Sequence, residues 1–189
     1  MKDTTIKRIQ STHFDSIETQ RATLDSLVKI IQSSKGQEKS IAEKKFLAAF
    51  PATWRQYKAL YEDENLYTEQ SHIYVLGHLE SVDHEMLFNK VIDFSINGKW
   101  EADFLQDFYL YDWFFDYGDE LVKALSKRND NTIKNIFRFI FDGAHPKAMI
   151  DRYRALHCKL DNENKRLANL LEETYNYLLK AEAENGHGY

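Results

Sequence analysis

The sequence predicts an all-α fold, with about seven to nine helices in a single compact domain, and three observations support this prediction. Between Gln37 and Glu182 there are only two prolines and four glycines, and five of these six stand where an apolar run begins or ends. Apolar residues recur at three- and four-residue intervals along most of the chain, which is the spacing of one helix face. The apolar run from Ile73 to Leu76 would suit a strand, but no partner strand can be found elsewhere in the sequence.

Five helices are predicted in the first half of the chain, after a polar and flexible segment of residues 1–14. Pro51 is expected in the first turn of a helix, where its missing N–H costs nothing, and Ser81 or Asp83 is expected to cap another. The five helices are predicted at about Asp15 to Ser33, Gln37 to Phe50, Pro51 to Tyr61, Leu66 to Glu80 and Asp83 to Ile96.

A central aromatic helix is predicted at residues 99–117. Its apolar residues cover nearly the whole circumference, and a helix of that kind belongs inside a fold. Replacement of Phe108 by alanine should therefore be strongly destabilising. Gly118 follows as a left-handed helix-ending glycine. The apolar residues of this helix are Phe104, Leu105, Phe108, Tyr109, Leu110, Tyr111, Trp113, Phe114 and Phe115.

The last third of the chain predicts a short helix from Asp119 to Lys127 and a longer one that Asn129 or Asp130 caps. After Pro146, a near-heptad apolar stripe extends to about Glu182. The polar residues 161–164 interrupt it, so this segment is either one long helix or two helices. The helical domain is expected to cover residues 15–184, and residues 185–189 should fray.

The charge and cysteine content exclude several classes of function. Lys and Arg number 25 against 30 Asp and Glu, which gives a net charge of −5 with no basic cluster, so nucleic acid is not expected as a partner. The single cysteine, Cys158, excludes an internal disulfide and is expected to be a buried thiol. No run is long and apolar enough to span a membrane, and a cytoplasmic location is expected. A chain from which a leader had been removed would look the same, so a periplasmic or lipid-anchored location stays open.

The residues that could support catalysis form no complete site. Glu69 and His72 have the Glu-x-x-His spacing of carboxylate-bridged metal proteins, and His84 adds a third possible ligand, but a second Glu-x-x-His is missing. A metal-dependent enzyme is therefore the second hypothesis, and no cofactor is expected. Two i, i+4 pairs of aspartates could act as acid and base, although a solvent-facing role is favoured. These pairs are Asp103 with Asp107 and Asp112 with Asp116.

Three blocks of sequence resemble an uncharacterised family of small all-helical bacterial proteins, some of which are associated with toxin-immunity loci. The blocks are Phe50-Pro51-Ala52-Thr53-Trp54 with Tyr57 and Tyr61, Asn97 to Asp103, and Phe139 to Pro146. The resemblance covers about residues 45–180. It implies a helical fold and a role in immunity or binding, and it brings no catalytic residues.

The sequence therefore favours a non-catalytic protein-binding domain, and specifically an immunity protein that neutralises a toxin effector. Aromatics make up 14% of the chain, and Tyr and Trp anchor many protein interfaces. An acidic protein would suit a basic partner. A structural subunit of a larger assembly is a further alternative. The predicted contact residues are Trp54, Tyr57, Tyr61, Glu62, Asp63 and Glu64.

Overall fold

A computed structural model describes residues 16–61, 72–96, 109–141 and 146–185, and these residues are helical apart from short connections. No strand occurs in these four ranges, so the predicted all-α class is confirmed. Within them are ten α-helices, because the last predicted segment is divided in two. The helices are α1 (Ile17–Ser33), α2 (Gly36–Ala49), α3 (Trp54–Tyr61), α4 (His72–Gly77), α5 (His84–Ser95), α6 (Tyr111–Asp116), α7 (Gly118–Ser126), α8 (Asp130–Phe141), α9 (Ile150–Glu163) and α10 (Lys165–Asn185); a 3₁₀ helix at Pro146–Met149 precedes α9.

The described helices form two compact units that divide at the end of α5, between Phe94 and Ser95. In the first unit, α1 packs along α2, and Gln20 of α1 donates a hydrogen bond of 2.9 Å to the Ala49 carbonyl. The interior of this unit is aromatic, because rings from α2, α3 and α5 meet there.

The second unit is built around α10, which packs against both α8 and α9. Three contacts fix the direction of α8 relative to α10: Asp130 with Arg166, Lys134 with Glu173, and Arg138 with Tyr177. Residue numbers rise together along both helices, so α8 and α10 run parallel. The 3₁₀ helix and α9 form the return connection between them.

Polar side chains cap several helix starts, and two of these caps, Asp83 and Asn129, were predicted from the sequence. Asp83 accepts the Met86 N–H at 3.0 Å, and Asn129 accepts the Thr132 N–H at 2.9 Å. Asn164 accepts the Leu167 N–H at 3.2 Å, and it is the residue at which the last segment divides into α9 and α10. Short polar side chains thus decide where these helices begin.

Two predicted helix-boundary roles were wrong. Pro51 is not in the first turn of α3, because Thr53 caps the Gln56 N–H and the helix begins only at Trp54. Gly118 does not have the left-handed backbone expected of it and is the first residue of α7. A Cβ at Gly118 would lie 2.6 Å from Lys159 Nζ, which is the end of a flexible side chain that would move aside.

Two exposure predictions were also wrong. Cys158 is exposed on α9 instead of buried. Phe115 is 45% exposed on α6, although Trp113 and Phe114 beside it are buried. The part of the central helix at residues 99–108, including Phe108, lies outside the described residues, as do the acidic connection after Tyr61 and both chain termini. None of the described helices combines the length and apolarity that crossing a bilayer requires.

Candidate functional site

Two of the three aromatic residues predicted to contact a partner, Trp54 and Tyr57, lie in the core of the first unit. Trp54 is 5% exposed and Tyr57 is 1% exposed, and their rings stack with centroids 5.5 Å apart. Burial raises the pKa of the Tyr57 hydroxyl. Neither ring offers surface to a partner, because both pack in one buried aromatic cluster with Phe50 and Phe94.

The side chains of the other predicted contact residues lie outside the described part of the structure. Tyr61 is the last residue of α3, and its side chain lies outside the described part. Glu62, Asp63 and Glu64 also lie outside it. Their role as contacts for a basic partner stays a prediction.

The residues of the metal hypothesis are only partly placed. Glu69 lies outside the described residues. His84 is half-buried at the start of α5, with its ring centroid 5.7 Å from that of Phe88. In the described ranges, no group of three or more His, Cys, Asp or Glu side chains is arranged to hold a metal ion. Of the paired aspartates, Asp112 and Asp116 are exposed on α6, while Asp103 and Asp107 are outside the described part.

His72 has a structural contact that joins α4 to α1. Its Nε2 lies 2.9 Å from Asp25 Oδ1, and the imidazole is only 4% exposed. The ring also meets Phe46 edge-on at 6.0 Å. Burial lowers the pKa of His72 more than the Asp25 carboxylate raises it, and Arg21 lowers it further. The neutral imidazole, with its Nε2–H donated to Asp25, is therefore the form that this site stabilises.

This lowered pKa predicts how stability changes with pH. The pKa of an unfolded histidine is about 6.5, so below that pH the unfolded chain binds a proton that the folded His72 resists. The His72 contribution should be fully present above pH 6.5 and should be lost as the pH falls through the lower folded pKa. The unfolding free energy is measured by urea titration at pH 7.5 and at pH 5.5. The decrease between the two pH values should be smaller for His72→Gln than for the wild type. For Asp25→Asn the difference should be larger, because the group that raises the pKa is gone. An unchanged difference in His72→Gln would contradict this assignment.

Among the described residues, two surface grooves are candidate binding sites, one in each unit. The first has a volume of about 800 Å³ and lies between α1 and α2. Its lining consists mainly of short side chains, with no aromatic residue and no arginine. The second has a volume of about 450 Å³ and lies between α8 and α10. Its lining residues are Asn131, Lys134, Asn135, Arg138, Glu173, Thr174 and Tyr177.

The α8/α10 groove contains a pair of large side chains that faces solvent. Tyr177 is 56% exposed, and the Arg138 guanidinium carbon lies 5.4 Å from the centre of its ring. This is within the range of a cation–π contact. Beside it, Lys134 Nζ lies 2.7 Å from a carboxylate oxygen of Glu173. Thr174 also lines the groove and is buried, and its hydroxyl donates a hydrogen bond of 2.7 Å to the Leu170 carbonyl.

Helical spacing explains why these side chains share one groove. Asn131, Lys134, Asn135 and Arg138 follow one another at i, i+3, i+4 and i+7, so they form a stripe on one face of α8. Glu173 and Tyr177 stand four residues apart on α10 and face this stripe. The apolar residues Ile133, Ile136 and Phe137 point the other way, into the core. The stripe could have been found in the sequence as the polar face of an amphipathic helix, but its facing residues on α10 could not.

No known protein family matches this chain, and no curated protein or solved structure matches it.

Proposed function

We propose that this chain is a protein-binding domain that acts as an immunity protein against a toxin effector, and that the α8/α10 groove is its contact surface. The observation that carries the proposal is the exposed Arg138–Tyr177 pair in that groove. Arg and Tyr are among the residues that contribute most to binding energy at protein interfaces.

The packing of this pair also favours binding. A guanidinium held over a ring has fewer orientations than a free side chain, so less conformational entropy is lost when a partner immobilises it. Tyr177 has only two side-chain torsions and exposes more than half of its surface. The groove thus offers a restricted aromatic and cationic anchor beside polar residues, and this resembles the centre and rim of a protein interface.

The immunity part of the proposal rests on the three sequence blocks described above. Trp54 and Tyr57 no longer belong to the contact surface, because both are core residues. Glu62, Asp63 and Glu64 stay as predicted contacts for a basic part of the same partner.

The experiment is a pull-down with the product of the neighbouring gene, followed by a growth-rescue assay when that product is expressed as a toxin. Tyr177→Ala should weaken binding by at least about tenfold, which corresponds to about 1.4 kcal/mol, because it removes the ring that fills the interface. The matched control is Phe115→Ala, which removes another exposed ring from the same unit. It should leave affinity and rescue unchanged.

Two results would contradict the proposal. One is that no neighbouring product binds and none is neutralised. The other is that Tyr177→Ala and Phe115→Ala bind the partner equally well, in which case the groove is not the contact surface. Far-UV circular dichroism of both variants establishes that any loss is not caused by unfolding.

A further inference from the structure

We infer that the part of the partner that enters the α8/α10 groove is an acidic peptide segment, with one of its carboxylates bound by Arg138. This inference rests on the proposed function and adds the chemical class of the ligand. It is carried by the contacts and charges of the side chains that line the groove.

The first step concerns the charges in the groove. Lys134 and Glu173 form an ion pair at 2.7 Å and neutralise each other. Arg138 is the other charged lining residue, and within the described ranges it has no carboxylate partner. The groove therefore has one uncompensated positive charge on a chain whose net charge is −5. A negatively charged group is the complement to this site.

The second step concerns the shape of the guanidinium. The Arg138 guanidinium carbon lies over the Tyr177 ring, 5.4 Å from its centre, and the group has five N–H donors, more than one ring can engage. A planar fork of N–H donors matches a carboxylate, with two parallel charge-assisted hydrogen bonds. Lysine cannot make this bidentate contact, since its ammonium acts as a single point charge.

The third step concerns the residues that flank Arg138. Asn131 and Asn135 line the same stripe, and among the described residues their amides have no hydrogen-bond partner. A carboxamide both donates and accepts, so these groups can pair with the N–H and C=O groups of a peptide backbone. From Asn131 to Arg138 the stripe is about 10 Å long, which fits three or four extended residues. The lining thus favours a peptide over an isolated anion.

The test uses an unbiased dodecapeptide display library, selected on the full chain. Selected peptides should be enriched in Asp and Glu. A fluorescein-labelled peptide made from the strongest sequence should bind the wild type in an anisotropy titration, and raising KCl from 50 to 500 mM should weaken binding because exposed charge contacts are screened.

Variants of the arginine then separate charge from geometry. Arg138→Gln should weaken peptide binding at least tenfold, and Arg138→Lys should recover only part of that loss. The matched control is Arg55→Gln, which removes an exposed arginine of α3 in the other unit and should leave affinity unchanged.

Several outcomes would overturn the inference. They are the selection of no peptide, selected peptides without acidic enrichment, and equal binding to the wild type and Arg138→Gln. Tighter Arg138-dependent binding of a labelled single-stranded oligonucleotide would assign the groove to nucleic acid instead. If any of these occurred while Tyr177→Ala still abolished capture of the protein partner, the acidic-segment inference would fail and the proposed function would stand. If one of these outcomes occurred and Tyr177→Ala also left capture of the protein partner unchanged, the acidic-segment inference and the proposed function would both fail.

Discussion

Replacement of Phe94 by alanine is expected to lower the free energy of unfolding by about 3–5 kcal/mol. Phe94 has no exposed surface and is the ring on which three others converge in the first unit. Its centroid lies 5.5 Å from that of Phe50, 5.4 Å from that of Trp54 and 5.4 Å from that of Tyr57. Alanine would leave a cavity and would also remove three aromatic contacts, each of which stabilises beyond the burial of area alone.

A urea titration followed by far-UV circular dichroism measures this effect. Phe94→Leu should cost less than Phe94→Ala, because it fills part of the cavity. Phe115→Ala is the control, since Phe115 is 45% exposed and its truncation leaves no buried cavity. A loss below about 1 kcal/mol in Phe94→Ala would mean that the aromatic cluster is not the core of this unit.

Tyr175→Ala is expected to have a similar effect in the second unit, of about 3–5 kcal/mol. Tyr175 is 1% exposed and stacks on Tyr153 with centroids 4.0 Å apart and planes at 5°. It meets Phe141 edge-on at 5.6 Å, and its hydroxyl donates to the Pro146 carbonyl. One side chain of α10 therefore contacts α8, α9 and the 3₁₀ helix.

The contributions of the ring and the hydroxyl can be separated. Tyr175→Phe keeps the ring and removes the hydrogen bond to Pro146, so it should cost only about 1 kcal/mol. Equal losses in Tyr175→Phe and Tyr175→Ala, measured in the same urea titration, would show that ring packing is not the main contribution. Tyr177→Ala, two residues away and exposed, should change stability by less than about 0.5 kcal/mol.

Helices with a regular apolar pattern could be predicted from sequence. Every residue of the stripe predicted in α10 is buried, from Leu167 through Thr174 to Leu178. The apolar face predicted for α8 is also buried, and Asp83 and Asn129 cap the helices that were assigned to them. These features depend on local spacing and on backbone N–H groups within the same turn, which a single sequence contains.

The candidate site could not be predicted in the same way. Trp54 and Tyr57 were placed on the surface because Tyr and Trp are common in interfaces, but the same rings also suit a core. Whether these two rings lie in the core or on the surface depends on Phe94, on which both pack and which comes almost forty residues later in the chain. Likewise, Arg138 and Tyr177 meet only because α8 and α10 run parallel after an intervening helix. Phe108, predicted to be central, lies outside the described residues.

The parallel arrangement of α8 and α10 places a restriction on chain length. Arg166 is fixed at the start of α10, where its guanidinium donates hydrogen bonds to the Asp130 carboxylate and to the carbonyls of Ser126 and Arg128. Each residue advances a helix by about 100°, so one residue inserted or deleted between Arg166 and Glu173 would rotate the far end of α10 by that angle. Tyr177 would leave the groove and apolar residues would turn toward solvent. Related chains that use this groove can therefore vary the exposed residues of this segment, but they must keep the number of residues and the buried apolar ones.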